Sequence, residues 1–125
     1  MHENKLTVII NKPIKEVFEF TTNPDNTHLW VPFVDEEIAD KFSPTIGTLY
    51  KSRRKESWNT SKVTKYIPNK LFKLENAIFS VTYLYEEMDA DITKLTYLES
   101  VKKGKLTNSF TKEVLQKLKS IIESD

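Results

Sequence analysis

Apolar and polar positions follow two different periods along this chain, and the places where the period changes mark its elements. Residues 5–11, KLTVIIN, are short, apolar and β-branched, which predicts a strand. Lys12-Pro13 then opens a helix, because proline suits the first helical position, and Ile14, Val17 and Phe18 fall on one face of it. The residue before Pro24 avoids the helical region, so this helix ends near Thr22 or Asn23. Asn23 can cap a second short helix, with Pro24 first and Asp25 beside the positive end of its dipole, running out near Trp30 before Pro32.

From about residue 34 the period becomes that of strands. VDEEIADKF is weak and charged, which suits a sheet edge. TLYKSRRKESW, TSKVTKYI, LFKLEN, AIFSVTYLYEEM and ITKLTYLESV follow, joined by short polar links at Trp58-Asn59-Thr60, Pro68-Asn69-Lys70, Asn76-Ala77 and Asp89-Ala90-Asp91. Links so short predict antiparallel neighbours in a meander. In FSVTYLY, Phe79, Val81, Tyr83 and Tyr85 take one face and Ser80, Thr82 and Leu84 the other. In ITKLTYLESV, Leu95, Tyr97 and Val101 share a face with Glu99, which either lies near the strand end or points into something polar. A final helix is expected over about residues 106–124, with Leu106, Phe110, Val114, Leu118, Ile121 and Ile122 as its apolar stripe. At 1.5 Å per residue it would be about 28 Å long, enough to cross a sheet.

The predicted architecture is therefore α+β: a curved antiparallel sheet of about six or seven strands around one long C-terminal helix, with two short helices after the first strand. The 125 residues fit one domain, 1–125, that buries a sizeable core. Composition removes several chemistries. There is no cysteine, hence no thiol nucleophile, thiolate zinc site or disulfide. Two glycines, Gly47 and Gly104, cannot build a phosphate-binding loop. A net charge of +1 supplies no field toward nucleic acid or an anionic membrane. No apolar run approaches a membrane span, and MHENKLT lacks the apolar stretch of a signal peptide. A soluble cytoplasmic protein is the expectation.

Three stretches resemble the helix-grip superfamily of START-like lipid-transfer domains, polyketide cyclases/dehydrases and birch-pollen-allergen-like proteins, nearest to its bacterial polyketide cyclase/dehydrase and lipid-transport group. TVIINKPIKEVFEFTTNPDNTHLW carries Val17, Phe18, Pro24, Asn26 and Trp30 at matching places; VTKYIPNKLFKL carries Val63, Tyr66 and Pro68; YEEMDADITKLTY carries Glu86, Thr93 and Leu95. Asp91-Ile92 stands where the family has a glycine pair, so the last hairpin turns differently. The resemblance covers nearly the whole chain. It implies a hydrophobic cavity between sheet and C-terminal helix, and no cofactor. Members bind lipids, sterols, polyketides or other amphipathic molecules, and a minority are enzymes. No residue set here matches a family catalytic signature.

The expected cavity lining is Trp30, Tyr50, Phe72, Phe79, Tyr83, Tyr97, Phe110 and Val114, with Arg54 as a charged candidate. Each has a plainer reading. Trp30 either packs the short helices onto the sheet or lines the entrance. The tyrosines are either satisfied core aromatics or offer hydroxyls to a ligand. Arg54 and Glu56 share the parity of Tyr50, so they point inward only if Tyr50 does. His28 has no identifiable partner, His2 offers no credible second metal ligand, and no catalytic or metal-binding residue is assigned. Lys51, Arg53, Lys55, Lys62 and Lys65 read as a solvated convex face rather than a nucleic-acid surface, since no aromatics are interleaved.

The expected function is non-covalent binding of a small, mainly hydrophobic or amphipathic ligand by a monomer or homodimer, without nucleic acid or integral membrane association. Two alternatives stand beside it. A cofactor-independent cyclase or dehydratase would bring polar groups together inside the pocket. An interaction module with a filled core would expose apolar surface, for which Leu84 and Leu98 are the sequence hints.

Overall fold

A computed structural model describes residues 3–102, 104 and 109–124. The elements are β1 (Glu3–Ile10), α1 (Ile14–Thr22), a 3-10 turn (Pro24–Asn26), α2 (Thr27–Trp30), β2 (Glu36–Ala39), β3 (Leu49–Arg54), β4 (Ser57–Ile67), β5 (Leu71–Glu75), β6 (Phe79–Asp89), β7 (Ile92–Val101) and α3 (Lys112–Glu123). The strands form one antiparallel seven-stranded sheet in the order β1-β7-β6-β5-β4-β3-β2. Six of them run as the expected meander, and β1 closes the far side by pairing with β7.

The helix pair follows its caps. Pro13 precedes α1, and the Asn23 side chain accepts the Asp25 amide at 3.0 Å, so the chain turns where the Asn-Pro-Asp signal places it. Alternation then sorts the sheet into two faces. Val63, Phe72, Tyr83, Tyr85, Leu95 and Tyr97 are buried on the inner face, where rings meet edge to face, as Tyr83 does with Tyr97 at 5.3 Å. Leu115, Leu118 and Ile122 bury the apolar stripe of α3, which packs on β1 and α2.

Two expected boundaries are corrected. Trp58-Asn59-Thr60 is not a link but part of β4; the chain reverses at Lys55-Glu56, with Arg54 paired to Ser57 and Lys55 in the left-handed region at φ 56°. The last helix begins at Lys112, so its twelve residues span about 18 Å rather than 28 Å. Leu106 falls outside the described residues. Phe110 precedes the helix: its amide donates to the Glu99 carboxylate at 2.9 Å, and Thr111 is extended at φ −114°, ψ 169°. A side chain from β7 thus takes the amide that, in a helix begun near residue 106, would donate to the carbonyl four residues earlier.

Candidate functional site

Because α3 starts late and lies toward β1, the middle of the inner face is covered instead by the segment after α2 and by Phe110. Between them lies a cavity of about 400 Å³. Its walls differ in kind. Leu74, Ile78, Phe79, Val81 and Val101 from the β5–β7 side make an apolar wall, with Val31, Phe33, Val34 and Phe110 above it. Glu37, Ser52, Asn59 and Ser61 from β2–β4 make a polar wall, with Arg53 and Arg54 near the β3–β4 turn.

Register explains the polar wall. Ala39 pairs with Tyr50, so Glu37 pairs with Ser52, which pairs in turn with Asn59, and all three face inward with Tyr50. The Glu37 carboxyl accepts hydrogen bonds from the hydroxyls of Thr27 at 2.5 Å and Ser52 at 2.6 Å. Burial pushes its pKa up, and these two bonds offset only part of that. Tyr50 reaches past the cavity to donate to the Thr22 carbonyl at 2.6 Å. Tyr83 lines the cavity, is 7% exposed, and its hydroxyl bonds to no described residue. Burial, with the neighbouring Tyr85 and then Glu37 and Glu99, holds Tyr83 protonated far above the ordinary phenol range.

The opposite end is fixed by Glu99. Its carboxylate accepts from Asn4 Nδ2 at 2.8 Å, the Tyr97 hydroxyl at 2.9 Å and the Phe110 amide at 2.9 Å, while Asn4 also donates to the Phe110 carbonyl at 2.9 Å. Phe110 is thereby held flat on Tyr97, with ring centroids 4.3 Å apart and planes 2° from parallel. Glu99 is thus inward, buried and held by three hydrogen bonds from β1, β7 and the chain before α3.

No family model matches the chain, and no curated protein matches it in sequence. Solved structures do match. A START superfamily protein from Mycobacterium smegmatis superposes with a TM-score of 0.72 at 13% identity, covering 99% of each chain. The Aha1 dimer from Colwellia psychrerythraea gives 0.75 at 18% identity, covering 98% of this chain and 97% of that one. A conserved protein of unknown function from Enterococcus faecalis gives 0.75 at 15% identity, covering 96% and 70%. The chain has the START-like helix-grip fold. At these identities the likeness is one of fold.

Within this helix-grip fold the nine expected lining residues divide. Tyr50, Arg54, Phe79, Tyr83, Tyr97 and Phe110 line the cavity. Trp30 and Phe72 do not: both are almost fully buried, Trp30 against Tyr83 and Phe110, and Phe72 between Tyr50 and Tyr83. Val114 is half-buried on α3, packed against the core away from the cavity. Arg54 is exposed at the end of β3, and Glu56 is exposed in the turn, outside the cavity. His28 is exposed on α2, and His2 falls outside the described residues. Leu84 is 39% exposed on the convex face, whereas Leu98 beside it is half-buried. Glu37, Ser52 and Thr27 were not among the expected site residues. The parity of Tyr50 reaches Ser52, but Glu37 follows only from the β2–β3 register, which the intervening residues 40–48 hide.

Proposed function

We propose that this chain binds one small amphipathic, mainly apolar molecule non-covalently in the cavity between the sheet and the segments covering it. The observation that carries this reading is the division of a 400 Å³ space into an apolar wall from β5–β7 and a polar wall from β2–β4. Volumes of about 300–1,000 Å³, mostly apolar with a few placed polar groups, are what small-molecule sites use. The apolar wall would supply affinity by burying hydrocarbon at about 25 cal/mol per Å². The polar wall would set the orientation. An empty volume of this size is also the reason to prefer binding over an interaction module with a filled core.

Native mass spectrometry of freshly purified protein tests the reading. A defined adduct of small-molecule mass, released on denaturation, supports it and names the ligand class. A bare chain mass that stays bare after incubation with fatty acids, sterols and aromatic polyketides contradicts it.

A further inference from the structure

Away from the exposed rim, where Asn59 and Arg54 meet solvent, two groups in the cavity have hydrogen-bonding capacity that bears on a ligand. One is Glu37. Its two oxygens each take one hydroxyl, from Thr27 and Ser52, which leaves about half the lone-pair sites of a carboxylate open. No ion pair joins Glu37 to a described Lys, Arg or His. The other is the Tyr83 hydroxyl, which opens onto the same space from a residue only 7% exposed and lacks a described partner.

The neighbouring polar groups are already engaged. Tyr50 donates to Thr22, and Glu99 holds Asn4, Tyr97 and Phe110. Arg53, at the rim on β3, pairs with Glu36 at 3.1 Å and lies 3.9 Å from Asp35. Arg54 is exposed to solvent at the end of the same strand. On the polar wall Ser61 accepts from Asn76 at 3.4 Å and Asn59 is exposed, so the open capacity inside is a carboxyl with free lone pairs and a phenol hydroxyl that can accept or donate.

We propose that the cavity takes a ligand whose polar end is an amine, seated between the Glu37 carboxyl and the Tyr83 hydroxyl with its apolar body on the β5–β7 wall. This rests on the binding reading above. An ammonium brings three donors and the counter-charge that Glu37 lacks. Phe33 and Tyr83 add aromatic rings to the lining, a surface that suits a cation. A ligand carboxylate would meet Glu37 and Glu99, and of the two lining arginines Arg53 is paired with Glu36 and Arg54 is exposed. An alcohol would satisfy one or two bonds and leave the carboxyl without a counter-ion. A cation binds the ionised form of Glu37, so amine affinity rises with pH through the titration of that group, until the amine itself loses its proton.

The test uses three ligands with one tail: phenylbutylamine, phenylbutanol and phenylbutyric acid, titrated calorimetrically at neutral pH into the wild type, Glu37→Gln and Tyr83→Phe. In the wild type the amine binds about tenfold tighter than the alcohol, and the acid binds most weakly. Glu37→Gln weakens the amine more than the alcohol and so removes the amine's advantage. Tyr83→Phe, which keeps the ring and the carboxyl, weakens the amine by a smaller factor. An alcohol that binds as tightly as the amine, or an amine preference that survives Glu37→Gln, overturns this inference and leaves the binding reading standing. If none of the three binds the wild type, this inference is overturned, and the native mass spectrum alone decides the binding reading.

Discussion

The Glu99 carboxylate on β7 accepts the Phe110 amide at 2.9 Å, two residues before the C-terminal helix, and helps hold Phe110 as part of the cavity roof. Replacing Glu99 with Ala strands three donors, on Asn4, Tyr97 and Phe110, two of them on buried residues. Losing a charged acceptor of this kind is expected to cost about 3 kcal/mol. A urea titration followed by tryptophan fluorescence should show a lower midpoint at an unchanged slope. A midpoint within error of the wild type would mean that the network does not anchor Phe110.

The inner stripe of α3 should separate cleanly from its outer face. Leu118 is 0% exposed, so Leu118→Ala is expected to cost about 3 kcal/mol. Gln116, exposed on the same helix, should tolerate alanine within about 0.5 kcal/mol. Equal effects in thermal melts would contradict the placement of the helix.

Glu37 should make stability fall as pH rises. Burial raises its folded-state pKa above the ordinary 4.5, so between that value and its raised one the unfolded chain releases a proton that the folded chain keeps. Fewer protons on the unfolded state means a negative slope of unfolding free energy against pH. Glu37→Gln keeps the neutral hydrogen-bonding shape and lacks this slope. Melting temperatures of wild type and Glu37→Gln should therefore agree best in acid and diverge above pH 4.5, with the variant the more stable. Parallel curves would contradict the burial of this carboxyl.

Glu123 should act in the opposite sense. Its carboxylate accepts the Asn11 amide at 2.7 Å and Lys119 Nζ at 2.6 Å, which hold its pKa below 4.5. Stability from this tie is present above pH 4.5 and lost as pH falls through the lowered value. Glu123→Gln is expected to cost about 0.5–1 kcal/mol and to speed hydrogen exchange at Asn11. Unchanged exchange there would show that the end of α3 is not tied to β1 through this group.

Most of the fold was legible in the sequence, because alternation in FSVTYLY and the Asn-Pro-Asp turn are local signals that the tertiary structure does not override. The exceptions have particular causes. The β3–β4 reversal uses Lys55 at positive φ, a place where Asn or Gly would have advertised a turn. The spacing of Leu106, Phe110 and Val114 reads as continuous helix, yet a carboxylate from β7, eleven residues earlier, takes the Phe110 amide. Periodicity carries no information about such a long-range partner. The site was half legible for the same reason. Tyr83, Phe79 and Tyr97 follow from strand parity. Glu37 does not, because β2 is an edge strand that turns apolar Ile38 to solvent, 46% exposed, and its acidic neighbour inward.

The most direct measurement is a fluorescence titration with the apolar probe N-phenylnaphthylamine, on the wild type and on Val81→Trp. Val81 is half-buried on the apolar wall, opposite both Leu74 and Glu99 in register, so an indole there would occupy the cavity itself. The wild type should show saturable enhancement at one probe per chain, and Val81→Trp should abolish it while keeping a native circular dichroism spectrum. No enhancement in the wild type, or undiminished binding by a folded Val81→Trp variant, would contradict the claim that this cavity is the binding site.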